Sequence, residues 1–292
     1  MRVAVYGKKV TKQNIPVFQQ FLSLIAQYGW KPVIEKQLRE QLIKKAGWGG
    51  DAEQFESSQD FKTGIDIAFS IGGDGTFLKT VSYIRDSQVP ILGINTGRLG
   101  FLANVGSEFL EEAMALVQKK QFEYQLRSLL RVETDKQLFG EENVALNELT
   151  VHKKDTSSMI TVHAYLDDKY LNSYWADGLI VSTPTGSTAY SLSCGGPIIT
   201  PGCQVHILTP IAPHNLNVRP MVVPDALPVR LSVEGRERNY LISLDGQSKS
   251  LKQGEEVVIH KADYMINVIK FEDNNFLDTI RNKMLWGIDR RN

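Results

Sequence analysis

The stretch Ile71-Gly72-Gly73-Asp74-Gly75-Thr76 places three glycines around one carboxylate. An apolar run at 65–70 precedes it and is typical of a buried strand, while 77–81 can open a helix. Glycine lets the backbone approach a ligand closely, and the N–H groups of the turn and helix start can face a phosphate. Asp74 would then be a proton acceptor beside phosphates, which suggests phosphoryl transfer. The alternative is a tight structural turn with Asp74 as a turn residue.

Strand and helix patterns alternate on either side of this turn through the first 120 residues. Strands are predicted at 2–6, 31–35, 65–70 and 90–95, and helices around 17–25, 37–45, 77–85 and 108–119. The polar, glycine-containing stretch 47–60 is predicted to be a loop. This order favours an α/β domain over 1–121, with a Rossmann-like parallel sheet covered by helices.

Short alternating runs replace that pattern after Gln121. They occur at 122–126, 129–134, 145–152, 160–166, 179–182, 205–209, 229–233, 240–244 and 256–260. Their spacing predicts an all-β, sandwich-like domain over 122–271, with one helical interruption near 188–193. Phe276, Ile280 and Met284 then have helical spacing, so 272–292 is expected to return to the first domain as a helix.

Charge and composition exclude several classes of function. The 292 residues contain 33 Lys+Arg and 33 Asp+Glu, and this zero net charge argues against non-specific binding to nucleic acid or an anionic membrane. No apolar run approaches the roughly 20 residues of a membrane helix, and the N-terminus is typical of a strand rather than a signal peptide. Cys194 and Cys203 suggest neither a zinc site nor a disulfide framework, so a cytoplasmic location is expected.

Two polar segments follow predicted strands. The segment 95–102 ends the strand after the glycine turn, and because ligands gather at the carboxyl ends of parallel strands, the two loops are expected to form one cleft. Phe101 in it would stack on a base or belong to the core. Asn147-Glu148 offers an amide for an adenine edge and a carboxylate for a ribose diol, or is only an exposed polar pair.

The densest polar cluster lies at 177–197, which contains Ser-Thr-Pro-Thr-Gly-Ser-Thr-Ala-Tyr. Ser187 or Thr188 is expected to cap a short helix, and the remaining hydroxyls and N–H groups to face a polar ligand, with Tyr190 as a stacking face. The alternative is an elaborate capped turn. The five histidines lack metal-ligand spacing, and no Gly-x-Ser-x-Gly elbow indicates a hydrolase.

Taken together, these blocks resemble the NAD kinase family. The matching segments are 72–78, 95–102, Asn147-Glu148, 177–197 and 210–220, in the family's order. The resemblance implies an α/β domain, a β-sandwich-like domain and a returning C-terminal helix. It implies phosphorylation of the 2′-hydroxyl of the adenosine ribose of NAD to give NADP, with ATP or polyphosphate as donor and a divalent metal, Mg²⁺.

The resemblance also implies roles for individual residues. Asp74 is the base on the 2′-hydroxyl, Asn147 binds adenine and Glu148 binds the ribose. The remaining implied binding residues are Gly72, Gly73, Gly75 and Thr76 in the phosphate loop, Phe101, Thr188 and Tyr190 at the adenine, Ala189 and Ser193 at the nicotinamide half, Ser191 and Leu192 in the same block, Asp177 and Ala212 at the nicotinamide half (from a neighbouring subunit in relatives), and Lys79 and Gln247 as further contacts.

Three questions stay open at this point. Tyr174-Trp175-Ala176 is uncharged where some relatives carry a basic residue, so the preference between NAD and NADH is open. A homo-oligomer, dimer or tetramer, is expected from the family alone. A lipid or sugar-phosphate kinase with the same glycine loop, and a non-catalytic dinucleotide sensor, are the competing interpretations.

Overall fold

A computed structural model describes residues 1–62, 64–97, 100–103, 105–154, 158–272 and 275–285. The chain divides into two compact units. Unit 1 comprises Met1–Gln125 and Ile266–Asn292, and unit 2 comprises Leu126–Met265. The domain boundaries predicted from the sequence, after residue 121 and before residue 272, stay predictions.

Unit 1 alternates strands and helices. Its strands are β1 (Arg2–Tyr6), β2 (Lys31–Glu35), β3 (Glu53–Phe55), β4 (Ile67–Ile71), β5 (Ile91–Asn95) and β6 (Val105–Gly106). Its helices are α1 (Ile15–Gln27), α2 (Lys36–Ala46), α3 (Asp74–Ile84) and α4 (Leu110–Gln118), with 3₁₀ turns at Ser58–Lys62 and Ser107–Phe109. The α/β prediction for this half is confirmed.

The strands of unit 1 form a parallel sheet in the order β5-β4-β1-β2-β3. Strand β4 is buried at every position, as expected for a central strand covered on both faces. Its Phe69 packs in a cluster with α1, α2 and α4. On the opposite face, Gly93 of β5 lies against Phe77 of α3. Helices therefore cover both faces of the sheet, and the loops after β4 and β5 emerge side by side.

Unit 2 is almost entirely antiparallel β structure. Its strands are β7 (Glu123–Thr134), which begins at the end of unit 1, β8 (Val144–Ala145), β9 (Glu148–His152), β10 (Ile160–Leu166), β11 (Lys169–Ala176), β12 (Gly178–Ser182), β13 (Val205–Ile211), β14 (Met221–Pro224), β15 (Val229–Glu234), β16 (Asn239–Leu244), β17 (Gln247–Lys252) and β18 (Val257–Lys270), whose last residues belong to unit 1. In the described part of this unit, the one helical interruption is a 3₁₀ turn at Gly186–Thr188 followed by α5 (Tyr190–Ser193).

Two sheets pack against each other in unit 2. One has six strands in the order β14-β13-β12-β9-β16-β17, and the other runs β11-β10-β15 and continues with β18. Alternate residues of both sheets fill a common core, including Val162, Leu231, Val151 and Ile242, all fully buried. The sandwich-like prediction is therefore confirmed, with the period-two pattern as its physical cause.

The structure differs from the sequence prediction at several strands. The stretch 47–60 is not only loop, because Glu53–Phe55 forms the edge strand β3, parallel to β2. Its polar sequence concealed it, since Glu53 forms an ion pair with Arg2 and only Phe55 is buried. Strands β11, β14 and β17 were also missed, because their exposed and edge positions break the alternation.

The C-terminal helix α6 (Phe276–Met284) belongs to unit 1, as predicted. Asn275 caps it by accepting a hydrogen bond from Leu277 N–H. Its Lys283 ammonium lies 4.4 Å from the centre of the Phe101 ring. Within the described ranges, no helix is long and apolar enough to cross a membrane. Residues 286–292 of the predicted C-terminal segment lie outside the described residues.

Gly93 of β5 packs closely against Ala103 and against Phe77 of α3. A Cβ there would lie 2.7 Å from the Ala103 Cα and 2.9 Å from Phe77. We expect Gly93→Ala to lower the free energy of unfolding by about 1–3 kcal/mol, measured by urea denaturation. The control is Gly49→Ala, because a Cβ at Gly49 meets nothing within 4 Å. Equal stability of the two variants would contradict this packing argument.

Candidate active site

The glycine turn connects β4 to α3 in unit 1. Gly72 has a φ of 156°, and a Cβ there would lie 2.4 Å from the Thr76 Oγ1, so only glycine fits. Gly73 and Gly75 are different, because both are exposed and a Cβ on either would meet nothing within 4 Å. The fold itself therefore does not require glycine at 73 and 75, and their N–H groups are accessible to a ligand.

Asp74 accepts three successive backbone hydrogen bonds from the loop after β5. Phe101 N–H donates to Oδ2 at 2.9 Å, and Leu102 and Ala103 N–H both donate to Oδ1 at 3.1 Å. The expected meeting of the two loops is thus confirmed. Oδ1 has both lone pairs occupied, whereas Oδ2 keeps one lone pair for a further hydroxyl. The carboxylate is partly buried and held in one orientation.

The loop that supplies these N–H groups is folded by Asn95. Its buried side chain accepts from Gly97 N–H at 2.7 Å and donates to the Ala103 carbonyl at 3.3 Å. Gly100 is also required, because a Cβ there would lie 1.8 Å from the Asp74 Oδ1. Arg98 and Leu99 of this motif lie outside the described residues.

The predicted nucleotide contacts of unit 1 are placed around this turn. Phe101 is partly buried, and one contact of its ring is the Lys283 ammonium. Lys79 lies one turn along α3, with its ammonium 5.1 Å from the centre of the Tyr83 ring. Thr76 is buried in the first turn of the helix. The structure leaves their roles in binding as predictions.

A second carboxylate, Asp245, holds the Asn147-Glu148 motif in unit 2. It accepts hydrogen bonds from Leu146 N–H at 2.7 Å, Asn147 N–H at 2.9 Å and Glu148 N–H at 3.1 Å. Asp245 and Gly246 form the hairpin turn between β16 and β17, with φ of 44° and 87°. Burial raises the pKa of the Asp245 carboxyl to about 6, although the three amides act to lower it.

Glu148 is the most perturbed carboxyl of the region. Burial, and after it the negative charge of Asp245, raises its pKa to about 8, while the Tyr190 N–H acts in the opposite direction. Its Oε2 is buried and has no hydrogen-bond partner within the described part of the chain. A buried polar atom without a partner is rare, and a ligand is one physical reason for it.

The hydroxyl-rich turn uses most of its hydroxyls internally, so few of them are left uncommitted to face a ligand. Thr183 Oγ1 donates to the Leu146 carbonyl at 2.5 Å. Ser187 Oγ donates to the Pro184 carbonyl at 2.6 Å, and Ser191 Oγ bonds Thr209 Oγ1 at 2.8 Å. The cluster thus builds a rigid turn, and any contact of Ser191 with a ligand is left to its backbone.

The predicted helix cap is wrong. Neither Ser187 nor Thr188 caps α5, which starts at Tyr190 without a side-chain cap. Instead Thr188 Oγ1 donates backwards to the Thr185 carbonyl at 3.2 Å. Two side chains of this turn accept an N–H: Thr183 from Gly186 at 3.1 Å and Ser187 from Ile199 at 3.0 Å. In a tight turn, the carbonyl three residues earlier is a closer partner for a hydroxyl than the N–H groups at the start of the next helix.

The end of this turn leaves several predicted residues available. Tyr190 is 41% exposed, so its ring can still stack on a base. Its side chain hydrogen-bonds Cys194. Ala189 and Leu192 are partly buried and Ser193 is exposed. None of these placements conflicts with the predicted dinucleotide contacts.

Asp177 and Ala212, predicted at the nicotinamide half, and also Trp175 and Gln247, differ in exposure and in partners. Asp177 forms an ion pair with Lys153, at 2.6 Å between Oδ1 and Nζ. Ala212 is exposed and has a φ of 44°, in the left-handed region. The uncharged Trp175 packs its ring against His214, with the ring centres 4.3 Å apart. Gln247 begins β17 and donates to the Glu142 carboxylate at 2.7 Å.

The sequence at 245–247 predicts a hairpin turn that could touch a ligand, but no local signal predicts the structural roles of Asp245, Asn95 and Lys153. An Asp-Gly pair between two alternating runs predicts a hairpin turn, which is correct, but it does not reveal the partners of the carboxylate 97–99 residues away. Metal ligands were not predicted, and in the described part of the chain no three His, Cys, Asp or Glu side chains cluster as ligands.

An exposed glycine turn at the carboxyl end of parallel strands characterises α/β proteins that bind nucleotides. Residues 10–122 match the family model of the ATP-NAD kinase N-terminal domain, and residues 146–271 match that of the ATP-NAD kinase C-terminal domain. An NAD kinase of Flavobacterium psychrophilum is 45% identical over 294 residues, which is 100% of both chains. The chain therefore belongs to the NAD kinase family, and the resemblance is confirmed.

Two solved structures share the fold. Yeast NADH kinase complexed with NADH superposes with a TM-score of 0.89 at 21% identity, over 99% of this chain and 88% of that one. An NAD kinase from Archaeoglobus fulgidus in complex with ATP superposes with a TM-score of 0.74 at 26% identity, over 98% of this chain and 99% of that one. The predicted fold class is confirmed.

The raised pKa of Glu148 has a consequence for stability. The folded carboxyl holds its proton up to about pH 8, whereas the unfolded one releases it near 4.5. The free energy of unfolding therefore falls as pH rises between these values, by at most about 1.4 kcal/mol per pH unit. We expect Glu148→Gln to raise the melting temperature at pH 8 but not at pH 4.5, by calorimetry.

The matched control for this measurement is Glu40→Gln, at an exposed position. Its melting temperature should follow that of the wild type at every pH. A melting-temperature difference between Glu148→Gln and the wild type that stays the same at both pH values would show that Glu148 ionises normally in the folded protein.

Proposed function

We propose that this protein phosphorylates the 2′-hydroxyl of the adenosine ribose of NAD with ATP, giving NADP and ADP. Membership of the NAD kinase family supports this reaction. The observation that carries the proposal is the Asp74 carboxylate, fixed by three N–H groups beside an exposed glycine turn. A hydroxyl nucleophile and an anionic donor need that combination of a proton acceptor and oriented amides.

The proposed step uses the unoccupied lone pair of Asp74 Oδ2. The ribose 2′-oxygen forms a bond to the γ-phosphorus of ATP while the bond from that phosphorus to the β,γ-bridging oxygen breaks. ADP leaves with the electron pair, and the hydroxyl proton passes to Oδ2. General-base help of this kind contributes typically about 10²–10⁴-fold, and the larger share comes from in-line positioning and charge neutralisation.

Charge on the donor would be neutralised by the turn and by a metal. The exposed N–H groups of Gly73 and Gly75, with Lys79 one helical turn later, are suited to phosphate. Mg²⁺ is usually bound through substrate phosphates and one or two carboxylates. Mg²⁺ held through the phosphates of ATP would supply further neutralisation of their charge. The ATP complex of the Archaeoglobus fulgidus enzyme supports ATP as the donor.

Recognition of NAD is assigned chiefly to residues of unit 2. Asn147 would bind the adenine edge, and the unpartnered Glu148 Oε2 would bind the ribose. Thr188 and Tyr190 of unit 2 would contact the adenine, and Phe101 of unit 1 stays a proposed adenine contact. The nicotinamide half would contact Ala189 and Ser193. Leu192, the backbone of Ser191 and Gln247 would be further contacts of the dinucleotide.

We also propose that the active form is a homo-oligomer in the cytoplasm, with Asp177 and Ala212 contacting NAD bound to a neighbouring copy. An open groove of about 760 Å³ on unit 2, which His214 and Met221 line, supports this assembly. Leu216, which also lines the groove, is 87% exposed, and an apolar side chain so exposed is suited to an interface.

The base role of Asp74 predicts a separation of binding from turnover. We expect Asp74→Asn to lower kcat for NADP formation by about 10²–10⁴-fold while the Kd for NAD changes little, since the base acts only in the transition state. The measurements are a coupled NADP assay and calorimetric titration with NAD. Asp86→Asn, at an exposed position of the same unit, is the control. Near wild-type kcat in Asp74→Asn would refute the base assignment.

The phosphate role of the turn predicts loss of function without loss of stability. Because a Cβ at Gly73 meets no protein atom within 4 Å, Gly73→Ala should leave the melting temperature unchanged. It should raise the KM for ATP about tenfold, because the methyl group occupies the space the phosphates need. Gly49→Ala is again the control. A normal KM for ATP in Gly73→Ala would place the phosphates elsewhere.

A further inference from the structure

Asp245 is a second carboxylate clamp in the molecule, and no role in the reaction has been assigned to it so far. It is partly buried, and its three acceptor contacts run to the N–H groups of Leu146, Asn147 and Glu148. Its own N–H donates to the Glu148 carbonyl at 3.2 Å. The motif is thus tied to the β16–β17 hairpin through both its N–H and C=O groups.

The opposite edge of the same segment is held by the hydroxyl-rich turn. Thr183 N–H donates to the Asn147 carbonyl at 2.9 Å, and Thr183 Oγ1 donates to the Leu146 carbonyl. Gly186 allows this approach, because a Cβ there would lie 2.1 Å from the Asn147 oxygen. The backbone of residues 146–148 therefore has little freedom, and the directions of the Asn147 and Glu148 side chains follow from it.

The arrangement repeats the geometry at the proposed base. In each case an aspartate followed by glycine accepts three successive N–H groups, at 2.9–3.1 Å around Asp74 and 2.7–3.1 Å around Asp245. At Asp74 the carboxylate is itself the proposed reacting group. At Asp245 the clamped segment carries the side chains that would contact the ligand, so the carboxylate acts through them.

We propose that Asp245 is a positioning residue for NAD, because its three hydrogen bonds fix residues 146–148 before the ligand arrives. The proposal rests on the proposed function, because Asn147 and Glu148 must be the residues that bind adenosine. The charged and titratable groups around Glu148 are Asp245 and Cys194, with the Tyr190 N–H also directed at it.

The test is Asp245→Asn. Asparagine tolerates the left-handed backbone of this position, where φ is 44°, but it removes the charge and one acceptor oxygen. We expect the KM for NAD to rise roughly tenfold, with kcat reduced much less and the KM for ATP unchanged. The pH at which the KM for NAD changes should fall by roughly one unit, because Glu148 then ionises more easily.

Asp167→Asn is the matched control, because Asp167 is an exposed aspartate in another hairpin turn with a φ of 50°. Its KM for NAD, its kcat and the pH at which its KM for NAD changes should equal those of the wild type. A merely structural role for Asp245 would lower stability without moving the pH profile. A wild-type KM for NAD together with a wild-type pH profile in Asp245→Asn overturns the proposal.

Two further measurements keep the outcomes distinct. Asn147→Ala and Glu148→Gln test the proposed function: if neither raises the KM for NAD, the assignment of the binding residues fails, and the role of Asp245 fails with it. If they raise it and Asp245→Asn does not, only the role of Asp245 fails. Should Asp245→Asn not fold, amide exchange of the wild type without NAD decides, since fast exchange at Leu146–Glu148 contradicts a prefixed segment.

Discussion

The functional loops of this protein depend on one constraint: a carboxylate that accepts three successive backbone N–H groups. Loop N–H groups that leave water must find acceptors, and a partly buried carboxylate must find donors. One aspartate satisfies both requirements at once, and hydrogen bonds to an ionised group are stronger than neutral ones. The loop after β5 and the segment before β9 are both held in this way, at Asp74 and Asp245.

In each motif, some residues are needed for these contacts within the protein, and others remain available to a ligand. Gly72 and Gly100 are required by the protein, since a Cβ on either would collide with neighbouring atoms. Gly73 and Gly75 are not, and they face open space. In the hydroxyl-rich turn, Thr183, Ser187 and Ser191 form internal hydrogen bonds, whereas Tyr190 remains exposed. Pre-organisation of this kind reduces the entropy lost when a ligand binds.

Local pattern was sufficient to predict most of the fold and the positions of the motifs. Strands such as β4 and β10 have a buried run or a clear period of two, and the α/β and sandwich-like halves follow from them. Edge strand β3 could not be predicted, because its pairing with β2 depends on distant partners and only Phe55 is buried. The partners of Asp245 are likewise tertiary facts, set by segments about 100 residues apart. The hydroxyls of Thr183 and Ser191 also bond outside their own turn, to Leu146 and Thr209.

The left-handed backbone of Asp245 limits what evolution or design can place there. The backbone conformation admits asparagine, aspartate or glycine at low cost, whereas clamping three amides requires a carboxylate, which only aspartate or glutamate carries. Aspartate alone belongs to both sets. No single substitution preserves both properties, so a replacement that keeps the full clamp must rebuild the hairpin together with the segment that it supports.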